Sequence, residues 1–401
     1  MTIAAPPYPL SQVANQIKRS VMRDLIALAN RPDFVSFAGG LPAADYLPLS
    51  EVETCLEAVL TRDGSRALQY GPAYLPLREW IAGYLQRRGV ACTVEEVFIT
   101  NGAQQALAIL GRLLLDVGEP AVLEELTYTG IGQVMQAHGA VMRPAPMDLV
   151  TGVDPEAFEG ALTAEGRRAR LGVVIPDFHN PVGASLTIEK RQQLAAAAAR
   201  TGVPLIEDDP YSLLRYTGDV RPPIKAYDEA GLVFYVGSFS KIIAPAMRLG
   251  WIVAPASIMP KLTVLRESLD LESSQLLQRL VTEFLTRGCL DMHLRDLNAA
   301  NHTRRDAMRA ALEHELGGLA KWTVPDGGIF LWVTLPEGLD TAPLLAPAFE
   351  RQVAFIPGSN FSADGSFANT MRLNYSNNTP ERIGEGLRRL GALVREAHAK
   401  A

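Results

Sequence analysis

The chain has 401 residues, of which 48% are hydrophobic and 20% charged, and its formal net charge is −6. That is enough sequence for a large core in two or three globular domains, and the charge balance excludes a protein that neutralises nucleic-acid or membrane phosphates with a concentrated basic surface. No apolar run reaches the roughly 20 residues that cross a bilayer, and the opening MTIAAPPYPLSQVANQIKRS lacks the apolar core of an export signal, which points to the cytoplasm.

From about Ser50 onward, strand-like and helix-like segments alternate. VEEVFIT (94–100) reads as a strand, and QALAILGRLLLD after it carries apolar residues at 106, 107, 110, 113 and 114, a helical spacing. LGVVIPDF (171–178) is a second strand, followed by the helix TIEKRQQLAAAAAR. GVPLIEDD (202–209) and GLVFYVGS (231–238) are two more. Continuous apolar strands between helices imply an α/β fold with a mostly parallel sheet covered on both faces. Beyond about residue 274 come long Arg-bearing helices, then GGIFLWVTL, VAFIPG and TMRLNYS as strands, and a last helix opening at Thr379-Pro380. We expect three parts: 1–49, an N-terminal segment packing with the small domain; 50–284, the large domain; and 285–401, a smaller α+β domain. Cys55, Cys92 and Cys289 stand far apart and outside any CxxC pair, which suits a reducing compartment and suggests neither a disulfide framework nor a metal site.

Parallel sheets bind ligands beyond the carboxyl ends of their strands. Each conspicuous polar cluster falls at such an end: NGAQQ after VFIT, DFHNP after GVVI, EDDPY after VPLI, SFSK after FYVG. The turn through Gly102 into a helix at Ala103 and Gln104 exposes unpaired N–H groups suited to a phosphate, although an ordinary strand-to-helix turn looks the same and neither nucleotide-loop pattern is matched. Asp208 at the end of a buried strand needs a cationic partner, and Tyr211 brings a phenol nearby; three consecutive acids also read as a solvated loop. Asn180 can donate to a phenolic oxygen or simply shape a turn before Pro181, and His179 reads as structural.

Lysine is scarce, with 7 of 38 basic residues, yet Lys241 sits among Phe239, Ile242 and Ile243. An ammonium there is costly unless its stem merely packs on apolar neighbours. A Schiff base with an aldehyde removes that cost, and Ser238, Ser240 and Arg248 then hold a phosphate on the same molecule. A phosphate cradle, an acid for a ring nitrogen, a phenol, an amide and a lysine together fit pyridoxal 5'-phosphate.

With these motifs, and SFAGGLP (36–42), LQYGP (68–72) and MRLNYS, the chain resembles the fold-type I pyridoxal-phosphate aminotransferases of class I/II, within them the 2-aminoadipate and kynurenine branch. The resemblance runs from about residue 16 to the last helix. It implies a mostly parallel, seven-stranded sheet, a homodimer, and a ping-pong transfer of an amino group. The donor would be a 2-aminoadipate, glutamate, aromatic or branched L-α-amino acid and the acceptor a 2-oxo acid such as 2-oxoglutarate. Decarboxylases, lyases and racemases share the scaffold, as do regulators fused to a DNA-binding domain, for which an opening of about 16 residues leaves no room.

The resemblance also implies roles. Lys241 matches the Schiff-base lysine, Asp208 the partner of the pyridine nitrogen, and Tyr211 and Asn180 the pair on the ring oxygen. Gly102, Ala103, Gln104, Ser238, Ser240 and Arg248 match the phosphate site, Tyr128 the ring-stacking aromatic, and Tyr70 a residue given to the neighbouring subunit's phosphate. Arg372, with Gly40 beside it, matches the clamp on the substrate α-carboxylate; on a strand it points with Asn374 and away from Met371 and Leu373. Arg23 matches a position that reaches a distal carboxylate, or is an exposed helix arginine. The chain departs from its relatives at Ala103, where a hydroxyl residue is common, and at Val182, where relatives commonly read NPTG.

Overall fold

A computed structural model describes residues 8–11, 14–15 and 33–400, with only the backbone of residue 165. Seven strands build the central sheet in the order Val97–Thr100, Gly250–Val253, Val233–Ser238, Leu205–Asp209, Leu171–Val174, Pro120–Glu124, Val141–Ala145. Six are parallel and Gly250–Val253 is antiparallel to both neighbours. The alternation of strand side chains explains why these segments are apolar throughout. Val173, Ile206 and Phe234 enter one core, while Val174, Leu205 and Val233 enter a second core on the opposite face. Helix Ala103–Leu114 packs in the first through Ala106, Leu107 and Leu110; helix Ile188–Thr201 packs in the second through Leu194, Ala195 and Ala198.

Three segments differ from the sequence expectation, each for a local reason. Val94–Glu96 is a 3-10 turn, not strand, because the Thr93 N–H donates to Glu96 Oε2 at 2.8 Å and closes the backbone on itself. Val141–Ala145 is a strand without a strand signal, because its Pro144 and Arg143 suit only an edge strand, which it is. Gly250–Val253 is hidden in the apolar stretch that contains Lys241.

The C-terminal region forms an antiparallel sheet of Lys321–Trp322, Phe330–Thr334, Thr370–Asn374 and Ile356–Pro357. Val35–Ser36 pairs in parallel with Val353–Ala354, so Val35 and Phe37 enter this second unit's core with Leu331, Leu373 and Leu387. Helix Cys289–Leu316 is about 42 Å long at 1.5 Å per residue. Its first half, through Leu290, Leu294 and Leu297, belongs to the large core, and its second half, through Met308, Leu312 and Leu316, to the small one. Among the described residues no helix is long and apolar enough to cross a membrane.

The antiparallel strand shapes the carboxyl edge of the sheet. Gly250, its first residue, lies opposite Thr100 and Ser238, the last residues of its neighbours, so the chain entering it joins that edge. Only glycine fits there: a Cβ on Gly250 would stand 2.7 Å from the Gly237 carbonyl oxygen and 2.8 Å from the Gly102 carbonyl carbon. Gly250→Ala is expected to cost about 1–3 kcal/mol by forcing these backbones apart, measured as a lower denaturation midpoint; an unchanged midpoint would show that the edge yields freely.

Candidate active site at the carboxyl edge of the sheet

Strand Leu205–Asp209 ends in three buried acids, each treated differently. Glu207 accepts the Ile224 and Lys225 N–H groups at 2.7 and 2.9 Å, and burial pushes its pKa up to about 7. Asp209 accepts Arg88 Nη1 and the Tyr235 hydroxyl at 2.8 Å each and the Ser212 N–H at 3.0 Å; despite burial, Arg88 holds it below the ordinary carboxylate range. Asp208 projects from the other face. It is 4% exposed, its Oδ1 has no hydrogen-bond partner, and burial, with Asp209 and Glu124 adding to it, pushes its pKa up to about 7. The solvated-loop reading therefore fails for all three, and only Asp208 is left wanting a cation.

Asp208 lines a cavity of about 250 Å³ that also contains Lys241, Arg372, Asn180, Tyr211 and Tyr128. Lys241 follows strand Val233–Ser238, and its Nζ donates to the Gly40 carbonyl at 2.6 Å. Desolvation, reinforced by Arg372 and Arg248, lowers its pKa to about 8. Tyr211 meets the Asn180 amide, Nδ2 donating to its hydroxyl at 3.4 Å, and burial raises its pKa.

Arg372 is fully buried on strand Thr370–Asn374, where Met371 and Leu373 face the small core. Its guanidinium donates to Asn180 Oδ1 at 2.8 Å and to the Ala38 carbonyl at 2.5 Å, and it lies 4.2 and 5.0 Å from the ring centres of Phe330 and Phe361. Burial lowers its pKa to about 10, so it is a cation at neutral pH, already oriented by aromatic faces on a planar fork. This is no surface salt bridge.

The other end of the cavity is an anion cradle. Gly102, at φ +88°, turns the chain from strand Val97–Thr100 into the twelve-residue helix Ala103–Leu114, whose first N–H groups have no partner inside the helix. Ser238 ends its strand and its Oγ accepts the Ser240 N–H at 3.2 Å. Arg248, in the left-handed region at φ 45°, donates from Nη2 to the Asn101 carbonyl at 2.9 Å and lies so near Gly102 that a Cβ there would stand 3.0 Å from it. Gln104 Nε2 donates to the Gly130 carbonyl at 3.2 Å, and Tyr128 caps the helix that begins at Thr129.

Gly40, Ala103, Gln104, Tyr128, Asn180, Asp208, Tyr211, Ser238, Ser240, Lys241, Arg248 and Arg372 thus line one cavity; Gly102, the residue before Ala103, is not in its lining. Tyr70 does not: it is 76% exposed and borders a separate cavity with Arg266 and Glu272. Arg23 lies outside the described residues. The sequence reading missed Leu41, Ile175 and Pro245 in the cavity wall, and Phe330 and Phe361 around Arg372. It also missed buried Glu124, which ends strand Pro120–Glu124, accepts the Ile175 N–H at 2.9 Å and lies 2.9 Å from His179 Nε2. An acid closing the apolar run PAVLE carried the same signal as EDD.

An unpartnered carboxylate, a buried amine of lowered pKa, a preset guanidinium and an anion cradle in one cavity are complementary to a molecule with a ring cation, a carbonyl and a phosphate. The comparisons agree. The model of aminotransferase class I and II matches residues 41–390. This chain belongs to that family. It is 36% identical to aromatic-amino-acid aminotransferase 1 of Thermococcus litoralis (97% of this chain, 95% of the relative) and 37% identical to the 2-aminoadipate transaminase of Thermus thermophilus (95% of each). The solved kynurenine aminotransferase of Pyrococcus horikoshii superposes with a TM-score of 0.91 at 34% identity, covering 96% of this chain and 97% of that one. The protein is a pyridoxal-phosphate-dependent aminotransferase of fold type I, acting on amino acids and 2-oxo acids.

In this aminotransferase without its cofactor, Lys241 is protonated below its pKa of about 8 and becomes nucleophilic as pH rises through it. The rate of condensation with added pyridoxal phosphate is expected to rise with a midpoint near pH 8; a midpoint near that of an ordinary lysine, about 10.4, would show that the amine is not desolvated.

Proposed function

We propose that this aminotransferase moves the amino group of a 2-aminoadipate, glutamate, aromatic or branched L-α-amino acid to a 2-oxo acid such as 2-oxoglutarate, with Lys241, Asp208 and Tyr211 as its catalytic residues. The observation that carries the assignment is Asp208 Oδ1, buried without a partner in the same cavity as the amine of Lys241. Two relatives are named for 2-aminoadipate and for aromatic amino acids, which supports that substrate range.

Pyridoxal phosphate, when bound, supplies an aldehyde and a ring able to take up the electron pair of a substrate Cα–H bond. Asp208 would pair with a protonated ring nitrogen, the cation there keeping the buried carboxylate ionised and the carboxylate keeping the proton on the nitrogen. Tyr211 and Asn180 would donate to the ring oxygen, and Tyr128 would supply an aromatic face to the ring. Ser238, Ser240 and Arg248, with the N–H groups at Gly102, Ala103 and Gln104, hold the phosphate; Ala103, without a hydroxyl, contributes its N–H alone. Arg372 clamps the substrate α-carboxylate, Asn180 fixing the fork and Gly40 leaving room beside it. With a pKa of about 8, Lys241 is about one-tenth neutral at pH 7, far more than an ordinary lysine, and its Nζ would take the Cα proton and give it up again within the cavity. The acceptor reverses the path.

One feature goes beyond one chain. Exposed Leu49, Leu68, Tyr70, Leu75 and Leu271 support a homodimer in which Tyr70 reaches the partner's phosphate. The pairing of Val35–Ser36 with Val353–Ala354 supports an N-terminal segment (1–49) that packs with the small domain (285–401) beside the large domain (50–284); residues 16–32 of that segment lie outside the described residues. Three free cysteines support a cytoplasmic setting.

Lys241→Ala is expected to abolish transamination while still binding cofactor noncovalently, read by absorbance titration and keto-acid release; appreciable turnover would refute the assignment. Arg372→Ala should raise KM about 100-fold for every amino acid, from loss of two charge-assisted hydrogen bonds. Arg23→Ala should raise it about tenfold for glutamate and 2-aminoadipate alone, and an equal effect on leucine or phenylalanine would remove Arg23 from the substrate site.

A further inference from the structure

Between helices Met259–Glu267 and Gln275–Thr286 runs a short connection whose side chains reach in two directions. On one side, Asp270 Oδ2 accepts both Asn101 Nδ2 and Gln105 Nε2 at 2.5 Å, while its Oδ1 accepts Arg266 Nε. Buried Arg266 also donates to the Ile99 carbonyl at 2.8 Å and to Ser273 Oγ at 3.0 Å, so Asp270 is anchored from behind. Asn101 and Gln105 flank Gly102, the turn of the anion cradle, and the Asn101 N–H donates to Gln105 Oε1 at 2.7 Å. Asp270 thereby holds the cradle without reaching the cavity.

On the other side, both oxygens of Glu272 accept the Gly71 N–H, at 3.0 and 3.1 Å, and Gln275 Nε2 donates to the Gly71 and Pro72 carbonyls at 2.7 and 2.8 Å. Gly71 is thus gripped at its N–H and its carbonyl by two residues three apart. Immediately before it stands Tyr70, whose side chain makes no such contact and is 76% exposed. A loop fixed at its backbone while its aromatic residue faces outward is an aimed side chain, not a floppy one.

We infer that residues 266–275 form a strap that positions two phosphate contacts at once: through Asp270 the cradle of its own subunit, and through Glu272 and Gln275 the Tyr70 that serves the partner. The inference rests on the reading that Tyr70 crosses a dimer interface. The two arms are joined where Arg266, which holds Asp270, also donates to Ser273, the residue after Glu272, so cofactor binding in one subunit and presentation of Tyr70 to the other share one short stretch of backbone. Asp270, Glu272 and Gln275 are positioning residues; none touches substrate or cofactor.

Mixed dimers of differently tagged chains separate the arms. When one chain carries Lys241→Ala, the absorption of cofactor condensed with lysine reports only the site of the other chain, and titration gives its affinity. Glu272→Ala placed on the Lys241→Ala chain is expected to weaken cofactor binding at the other chain's site roughly tenfold, the scale of losing a hydrogen bond to a charged group. Placed on the reporting chain itself, it should leave affinity within about twofold. Asp270→Ala should give the opposite pattern. Gln275→Ala releases the same grip on Gly71 and provides a second reading should the first variant not assemble, and Glu272→Gln, which keeps an acceptor, should restore most of the loss. Tyr70→Phe is the reference. If it weakens the partner's site while the Glu272 and Gln275 variants do not, the strap is overturned and the Tyr70 reading stands; if it has no effect across the interface, the Tyr70 reading fails and takes the strap with it.

Discussion

The arrangement of this aminotransferase stems from one buried carboxylate that the chain does not neutralise. Asp208 stands at the end of a central strand, out of water, with an oxygen that no donor satisfies. Desolvating a charge without a partner is among the costliest things a fold can do, and the neighbouring acids show that this fold can avoid it: Glu207 is given two backbone N–H groups and Asp209 a guanidinium. Leaving Asp208 alone makes sense only beside a ligand that brings a cation. Its raised pKa and the lowered pKa of Lys241 are two expressions of one dry cavity, each group pushed toward neutrality.

That cavity is built from the edge where the parallel strands end and the antiparallel strand begins. The reversal at Gly250 brings Arg248 back to the edge it would otherwise leave, and the absence of side chains at Gly102 and Gly250 lets three backbone segments approach closely there. The second unit closes the opposite side with Arg372, held rigid by Phe330, Phe361 and Asn180. A guanidinium oriented before substrate arrives loses little entropy on binding a carboxylate. Asn180 touches both Arg372 and Tyr211, which links the second unit to the edge of the large sheet through one amide.

Much of this was legible along the chain. The strand and helix types emerged from apolar periodicity, and the polar residues after VFIT, GVVI and FYVG stood out because a polar residue closing an apolar run is a local signal. Lys241 was conspicuous for the same reason, as the rare lysine among Phe239, Ile242 and Ile243. Short or edge elements such as Val141–Ala145 were not legible, since Pro144 breaks the pattern and only the position at the sheet margin makes it tolerable.

The sequence by itself determined the types of the long buried elements and which residue kinds would gather at the strand ends, because these depend on spacing and local chemistry. Only the tertiary structure showed why Asp208, and not its neighbours, keeps an unsatisfied oxygen: Glu207 and Asp209 are met by the Ile224–Lys225 backbone, Tyr235 and Arg88, 17 to 121 residues away along the chain. It alone set Gly40 against Lys241 and Phe330 against Arg372, and it alone showed what grips the loop behind Tyr70. Such contacts join segments far apart in the chain, 201 residues for Gly40 and Lys241 and 334 for Ala38 and Arg372. Their pairing is fixed by strand order and by the packing of two cores, which no local pattern encodes.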